Sequence, residues 1–141
     1  MRGGEVFLRP AKQMIGVINL KAAEIFSRSL ALLNEDESRA RNFKKNAKPL
    51  INQLLAQCFS IENSLRDSKN IVPLEKAQVI ENLEDEICYD ENFVSECMAY
   101  GLASLLCADD DKPMSNAMGA EFDRLKRKHM VASFEDIKNH Y

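Results

Sequence analysis

The chain has 141 residues, of which 45% are hydrophobic and 29% charged, and its formal net charge is −3. This composition excludes a disordered chain, and the length suits one domain with a core of its own. Because no apolar run approaches the roughly 18 residues of a membrane span and the first ten residues lack a signal-peptide core, we predict one cytoplasmic, non-membrane domain covering residues 1–141.

Apolar residues recur at helical spacing along most of the chain, so the sequence predicts an all-α fold. The first helix is expected from about Pro10 to Leu33, because proline suits a first helical turn. The second spans about Phe43 to Arg66, and Pro49 should kink it or divide it near Asn46. A third is expected from about Pro73 to Ile87. Its predicted apolar face comprises Val79, Ile80, Leu83 and Ile87.

The segment from about 91 to 108 is apolar around its whole circumference and contains one charged residue after position 92, Glu96. A helix with this pattern is buried, so we place it at the centre of the bundle. Asp90 is its expected N-cap. Small residues within it should let neighbouring helices approach closely. These are Ala99, Gly101 and Ala103.

Two short helices should follow, from about Ser115 to Met130 and from Ser133 onward. The predicted architecture is therefore a single compact bundle of five or six helices. The apolar central helix could face its own core or a second copy of the chain, so a homo-oligomer remains open.

Few residues have spacings that indicate chemistry. Three of the four cysteines fall on apolar helical faces, and Cys88 is expected beside carboxylates that disfavour a thiolate. No C-x-x-C, H-E-x-x-H or phosphate-binding glycine motif occurs. We therefore predict no catalytic residue, no metal and no cofactor. An enzyme with an unfamiliar helical site is a third hypothesis, which a deep polar pocket around His129 or Glu96 would support.

Charge is segregated along the chain. Residues 77–111 carry ten acidic and no basic side chains, whereas residues 1–76 carry thirteen basic and eight acidic ones. Such a field affects partner choice and encounter rate rather than the fold. We therefore predict a non-catalytic protein-interaction module, namely an adaptor, chaperone-like subunit or inhibitor, that presents an acidic helical surface to a basic partner. The predicted binding residues are Glu81, Glu84, Asp85, Glu86, Asp90 and Glu91.

Two groups of basic side chains support an alternative, a small nucleic-acid-associated regulator. One face of the second helix carries Arg41, Lys44, Lys45 and Lys48. The second group is Arg124, Arg127 and Lys128. The negative net charge and the lack of a nucleic-acid-binding motif make this alternative less favoured. A simpler explanation needs no partner, because residues 41–48 could pair with the acids of 81–91 inside the chain.

Overall fold

The computed structural model describes the backbone of residues 19–34 and 37–140 and the side chains of residues 19–34 and 39–131. Within these ranges the fold is an all-α bundle of five helices without strands, which confirms the predicted class. The helices are α1 (Ala22–Leu33), α2 (Glu37–Gln57), α3 (Phe59–Ser68), α4 (91–106) and α5 (Lys112–His140). None of the helices in these ranges has the length and hydrophobicity to cross a bilayer. The predicted start at Pro10 lies outside the described residues.

Helix α4 is the central element, as the sequence predicts. It packs against α1, α2 and α5, and its side chains from Phe93 to Leu102 include several with no exposed surface. The Asp90 carboxylate accepts a hydrogen bond from the Phe93 N–H at 3.0 Å, which confirms the expected N-cap. A five-residue π-helical segment, Val94–Met98, separates the first turn from the regular α-helix Ala99–Leu106.

Close packing around α4 depends on Gly101. A Cβ atom added there would lie 2.9 Å from Cδ2 of Leu54 on α2 and 3.0 Å from Cε2 of Phe122 on α5. The expected close approach is therefore present at this residue. Ser104 and Ser115 fasten α4 to α5, because each hydroxyl donates to the other's backbone carbonyl at 2.8 Å.

Two predicted divisions between helices are not formed. Of the two outcomes expected at Pro49, a kink or a division near Asn46, the division does not occur, because helix α2 continues through Pro49 and the chain divides at Cys58. Burial of apolar side chains on either side of Pro49 offsets the roughly 3 kcal/mol that an interior proline costs. The expected break between Met130 and Ser133 is also not formed, since α5 is continuous from Lys112 to His140. No glycine or proline follows Gly119, so no residue there terminates the helix.

The third predicted helix, 73–87, was also wrong. Residues 69–90 form an irregular segment, here named the acidic loop, between α3 and α4. Of its predicted apolar face, Ile80 and Ile87 are buried but Val79 is 68% exposed. Carboxylates three and four positions apart repel one another on a helix, and polar side chains of the bundle hold this backbone in another conformation. The predicted acidic helical surface is therefore a loop surface.

Candidate interaction surface

Two asparagines fix the acidic loop to the bundle. On α2, Asn52 Oδ1 accepts from the Ile80 N–H at 2.7 Å and Nδ2 donates to the Ile80 carbonyl at 3.2 Å. On α3, Asn63 holds Leu74 in the same way, at 2.8 and 3.1 Å. These bonds satisfy backbone groups that a helix or sheet would otherwise pair. The loop therefore has an irregular backbone but a defined position.

A partly buried ion pair on α3, Glu62 with Arg66, joins the two ends of the loop. Arg66 Nε donates to Glu62 at 2.6 Å, and the two Nη atoms donate to the carbonyls of Val72 and Cys88 at 3.1 and 3.2 Å. The second Glu62 oxygen accepts from the Asp90 N–H at 2.7 Å. Burial raises the pKa of Glu62, although the bonds from Asp90 and Arg66 favour its carboxylate. One side-chain pair thus links both loop ends to α3.

The loop also closes the N-terminal end of α1. The Ala22 N–H donates to the Asp85 carbonyl at 2.9 Å, and the Ala23 N–H donates to the Leu83 carbonyl at 2.7 Å. The first N–H groups of a helix have no partner within it, so these carbonyls satisfy groups that would otherwise need water. The loop is consequently bonded to three helices.

Three of the six predicted partner-binding residues are exposed and have no ionic partner among the described side chains, and a fourth, Glu84, is exposed but lies beside Lys21. Glu81 and Glu86 on the loop, and Glu91 in the first turn of α4, are exposed. None of the three forms an ion pair with another side chain in the described part of the chain. These carboxylates therefore contribute uncompensated negative charge to this surface.

The other three acids have partners within the chain. Glu84 lies 3.4 Å from Lys21 Nζ in an exposed pair that contributes little stability. Asp85 accepts from the backbone N–H groups of Glu81 and Asn82 at 2.7 and 3.2 Å, which forms a local turn.

Asp90 is an anchor as well as a surface charge. It caps α4 and pairs with Lys69 at the start of the loop. Although burial opposes the shift, the bonds from Lys69 and from the backbone of α4 lower the pKa of Asp90. Its carboxylate thus has the structural role expected of an N-cap, and its assignment to partner binding stays a prediction.

The acidic loop also exposes apolar side chains. Ile71, Val72 and Val79 are 49%, 78% and 68% exposed. Exposed apolar groups surrounded by polar residues are typical of protein-binding surfaces. The loop therefore combines apolar contact area with negative charge.

The basic stripe is defined as the four cations on the outer face of α2. They are Arg41, Lys44, Lys45 and Lys48, and all are exposed. The opposite face is buried through Phe43 and Ala47, as predicted. No ion pair joins the stripe to the acids of 81–91 among the described side chains. The two fields do not neutralise each other by direct contact in this part of the chain.

The second predicted basic group is largely compensated. Arg124 forms two hydrogen bonds to Glu121, at 2.9 and 2.6 Å, and Lys128 Nζ lies 3.2 Å from Glu96. Arg127 is exposed. Arg124, Arg127 and Lys128 therefore do not form a second uncompensated stripe.

Glu96 and His129 face each other between α4 and α5. His129 Nε2 lies 3.1 Å from the Glu96 carboxylate, and the His129 ring packs edge-on against Phe93 with centroids 5.5 Å apart. The hydrogen bond from Lys128 lowers the pKa of Glu96. The lone carboxylate of α4 thus pairs with cationic and imidazole groups of α5.

A groove between α1 and α2 adjoins the basic stripe. Its volume is about 220 Å³, and it is lined by Phe26, Ala40, Arg41 and Lys44. Neither Glu96 nor His129 lines this groove. It is therefore not the polar pocket around one of those residues that would support the third hypothesis. The groove instead combines apolar lining with two cations of the stripe.

Two buried cysteine thiols are poorly suited to nucleophilic attack. Burial raises the pKa of the Cys58 thiol to about 11 and that of Cys97 to about 12, which disfavours the nucleophilic thiolate. No group of three or more histidine, cysteine, aspartate or glutamate side chains arranged for a metal occurs in the part of the chain that was described.

No known protein family, curated protein or solved structure matches this chain.

The residues that position the loop were missed by the sequence analysis. Asn52 and Asn63 carry no periodic signal, since their role depends on contacts with backbone groups far along the chain. The spacing of Glu62 and Arg66 is typical of a helical ion pair and could have been recognised, but their burial could not.

Proposed function

We propose that this chain is a non-catalytic protein-interaction module, namely an adaptor, chaperone-like subunit or inhibitor, that binds a basic partner protein through its acidic loop. The observation that carries the proposal is the exposure of Glu81 and Glu86, without described cationic partners, on a loop bonded to three helices. Uncompensated carboxylates accelerate encounter with a basic surface and disfavour acidic competitors. A cytoplasmic location is part of the same proposal.

The fixed position of the loop supports this role. A loop that is ordered before binding loses less conformational entropy when a partner docks. Val79 supplies apolar area two positions from Glu81, and Val72 exposes further apolar area on the same loop. Apolar contact is what gives charged encounters a longer lifetime. The proposal therefore assigns encounter to the carboxylates and retention to the valines.

Affinity capture with three baits tests this function. The first is the unchanged chain, the second carries Glu81→Lys and Glu86→Lys, and the third carries Asp109→Lys and Asp123→Lys. The third bait makes the same change in net charge at exposed sites outside the loop. Mass spectrometry should find a basic protein that the first and third baits retain and the second loses. Equal recovery of every captured protein by all three baits would contradict the proposal.

The basic stripe supports a second candidate, a small nucleic-acid-associated regulator. Its four cations are exposed and could each neutralise a phosphate. Fluorescence anisotropy with a short labelled DNA duplex and a short RNA strand should then show binding at about 0.02 M salt that weakens steeply as salt rises. The variant Lys45→Glu, Lys48→Glu should bind less. No binding of either probe at low salt would exclude this candidate.

A further inference from the structure

The groove between α1 and α2 offers apolar and cationic groups together. Phe26 and Ala40 provide the apolar lining, and Arg41 and Lys44 at the same groove belong to the basic stripe. A partner that fits this combination needs an exposed apolar side chain next to carboxylates.

The acidic loop of this same chain has that combination. Val79 is 68% exposed, and Glu81, two positions further on, is exposed without a described cationic partner. Ile80 between them is buried and bonded through its backbone to Asn52, so both neighbours extend from a fixed point. The Gln78 amide donates to the Glu86 carbonyl at 2.8 Å, which keeps Glu86 near the same point.

The fixed point of the loop and the basic stripe lie on one face of α2. At about 100° per residue, Asn52 is within about 40° of Lys48 and about 20° of Lys45 and Arg41 around the helix. A rise of about 1.5 Å per residue places Asn52 about 6 Å beyond Lys48 along the axis. This face is therefore basic at one end and acidic at the other.

We propose that the acidic loop docks onto the groove and basic stripe of a second copy of this chain. A two-fold arrangement places the basic half of each copy on the acidic half of the other, so the same contact forms twice. Val79 of each copy enters the groove of its partner copy, while Glu81 and Glu86 pair with the stripe. Such a contact is reversible and salt-sensitive, because it depends on exposed charges and a small apolar area. The inference rests on the loop surface of the proposed function and gives that surface a second partner, another copy of this chain.

Sedimentation analysis of the full chain provides the first test, at protein concentrations up to about 1 mM. We expect a dimer at about 0.02 M salt. Its dissociation constant should be on the order of tenfold higher at about 0.5 M salt. Val79→Ser should weaken the dimer on the order of tenfold, because it removes the apolar group that enters the groove. Val131→Ser is the matched control, since Val131 is 59% exposed on α5 and should leave the dimer unchanged. A chain that stays monomeric at low salt overturns the inference.

Paired charge reversals give a sharper test. The loop variant Glu81→Lys, Glu86→Lys and the stripe variant Lys45→Glu, Lys48→Glu should each be monomeric, because each places like charges opposite one another. An equimolar mixture should form a mixed dimer, since every reversed surface then meets its opposite. Absence of that mixed dimer, with both variants folded by circular dichroism, overturns the inference.

Controls separate docking from general attraction between charged proteins. Asp109→Lys with Asp123→Lys, and Lys112→Glu with Arg127→Glu, make the same changes in net charge elsewhere on the surface. Each of these two control variants should dimerise as the unchanged chain does. Mixing them should not increase the fraction of dimer. If mixing the controls increased the fraction of dimer as much as mixing the loop and stripe variants does, the association would be general charge attraction. That result would overturn the proposed contact.

The outcomes distinguish this inference from the proposed function. If the chain is monomeric while the loop variant loses a captured basic protein, self-docking fails and the adaptor function stands. If the chain dimerises as expected and loop reversal releases no other protein, self-docking stands and the adaptor function fails.

Discussion

Helix α4 and the acidic loop are positioned by different interactions. The helix is held by apolar side chains that are buried over most of its circumference, whereas the loop is held by hydrogen bonds from Asn52, Asn63 and Arg66 to its backbone. Burial of apolar area is non-directional, so it tolerates small shifts but depends on volume. Hydrogen bonds are directional, so single polar deletions should loosen the loop while leaving the helix in place.

Truncation in the centre of the bundle should have the largest effect. Phe93→Ala removes a fully buried ring from α4 and should lower the free energy of unfolding by about 3–5 kcal/mol, because it loses apolar burial and leaves a cavity. Urea denaturation followed by circular dichroism measures this change. Phe93→Leu keeps most of the volume and should cost less; equal losses for the two variants would indicate that volume is not the determinant.

Breaking the Glu62–Arg66 ion pair should have a similar effect through a different mechanism, because the Glu62 member of the pair is buried. Arg66→Ala leaves the Glu62 carboxylate buried without its cation, which should cost about 3–5 kcal/mol of unfolding free energy. Adding Glu62→Gln to this variant should recover part of the loss, because the neutral amide costs less to bury. Denaturation of both variants and of Glu62→Gln alone forms a double-mutant cycle, and the absence of any recovery would argue against this explanation.

Removal of either asparagine anchor should cost less and act locally. Asn52→Ala and Asn63→Ala each leave a backbone N–H and carbonyl of the loop without their partners, for about 1–3 kcal/mol. Hydrogen exchange should accelerate at Ile80 in the first variant and at Leu74 in the second. The protection of α4 amides from exchange should fall only as far as the lower global stability of each variant requires. A larger loss of protection in α4 would contradict the separation of the two regions.

The pH dependence should identify the contribution of Asp90. Because its pKa is lowered in the folded state, its stabilising effect is present above the ordinary aspartate pKa of 3.8 and is lost as pH falls through the folded value. Asp90→Asn keeps an oxygen for the N-cap but removes the charge, so its stability should decline less below about pH 4, with a difference of up to about 1 kcal/mol. Thermal unfolding from neutral pH to about pH 3 measures the two slopes, and parallel slopes would contradict the assignment.

Reversal of the exposed loop acids should have the smallest effect on stability. Glu81→Lys and Glu86→Lys change groups that have no described ionic partner, so the free energy of unfolding should stay within about 0.5 kcal/mol of the unchanged chain. Urea denaturation provides the check. If the free energy of unfolding fell by several kcal/mol, these carboxylates would contribute to the stability of the fold as well as to the surface.

The same contrast explains which features were predictable from the sequence. The apolar circumference of residues 93–108 leaves burial as the stable arrangement for a helix, and Asp90 was recognised as its cap. The acidic loop was predicted as a helix because Ile80, Leu83 and Ile87 have helical spacing. Its actual conformation depends on Asn52 and Asn63, whose bonds are formed only after distant segments come together, so no local pattern encodes it.

The candidate surface was predictable in composition but not in geometry. The run of acids and the basic stripe are visible in the sequence, and the stripe lies on the exposed side of α2 as expected. Which carboxylates remain uncompensated depends on neighbours that the sequence does not specify. Asp85 folds back onto its own turn and Glu96 pairs with α5, whereas Glu81 and Glu86 stay exposed.

The wide turn at Val94–Met98 fixes the angular relation between the cap of α4 and the remainder of the helix. A turn closed from residue i to i+5 holds one residue more than an α-helical turn, so deletion of one residue there would restore regular winding. Regular α-helical winding with all residues retained would instead rotate Asp90 and Phe93 by about 100° about the axis relative to Leu102. The carboxylate could then no longer reach Lys69 while the ring stayed buried, so the wide turn keeps the cap of α4 in phase with the buried face beyond it, and loss of one residue should be tolerated better within this turn than in the regular helix that follows.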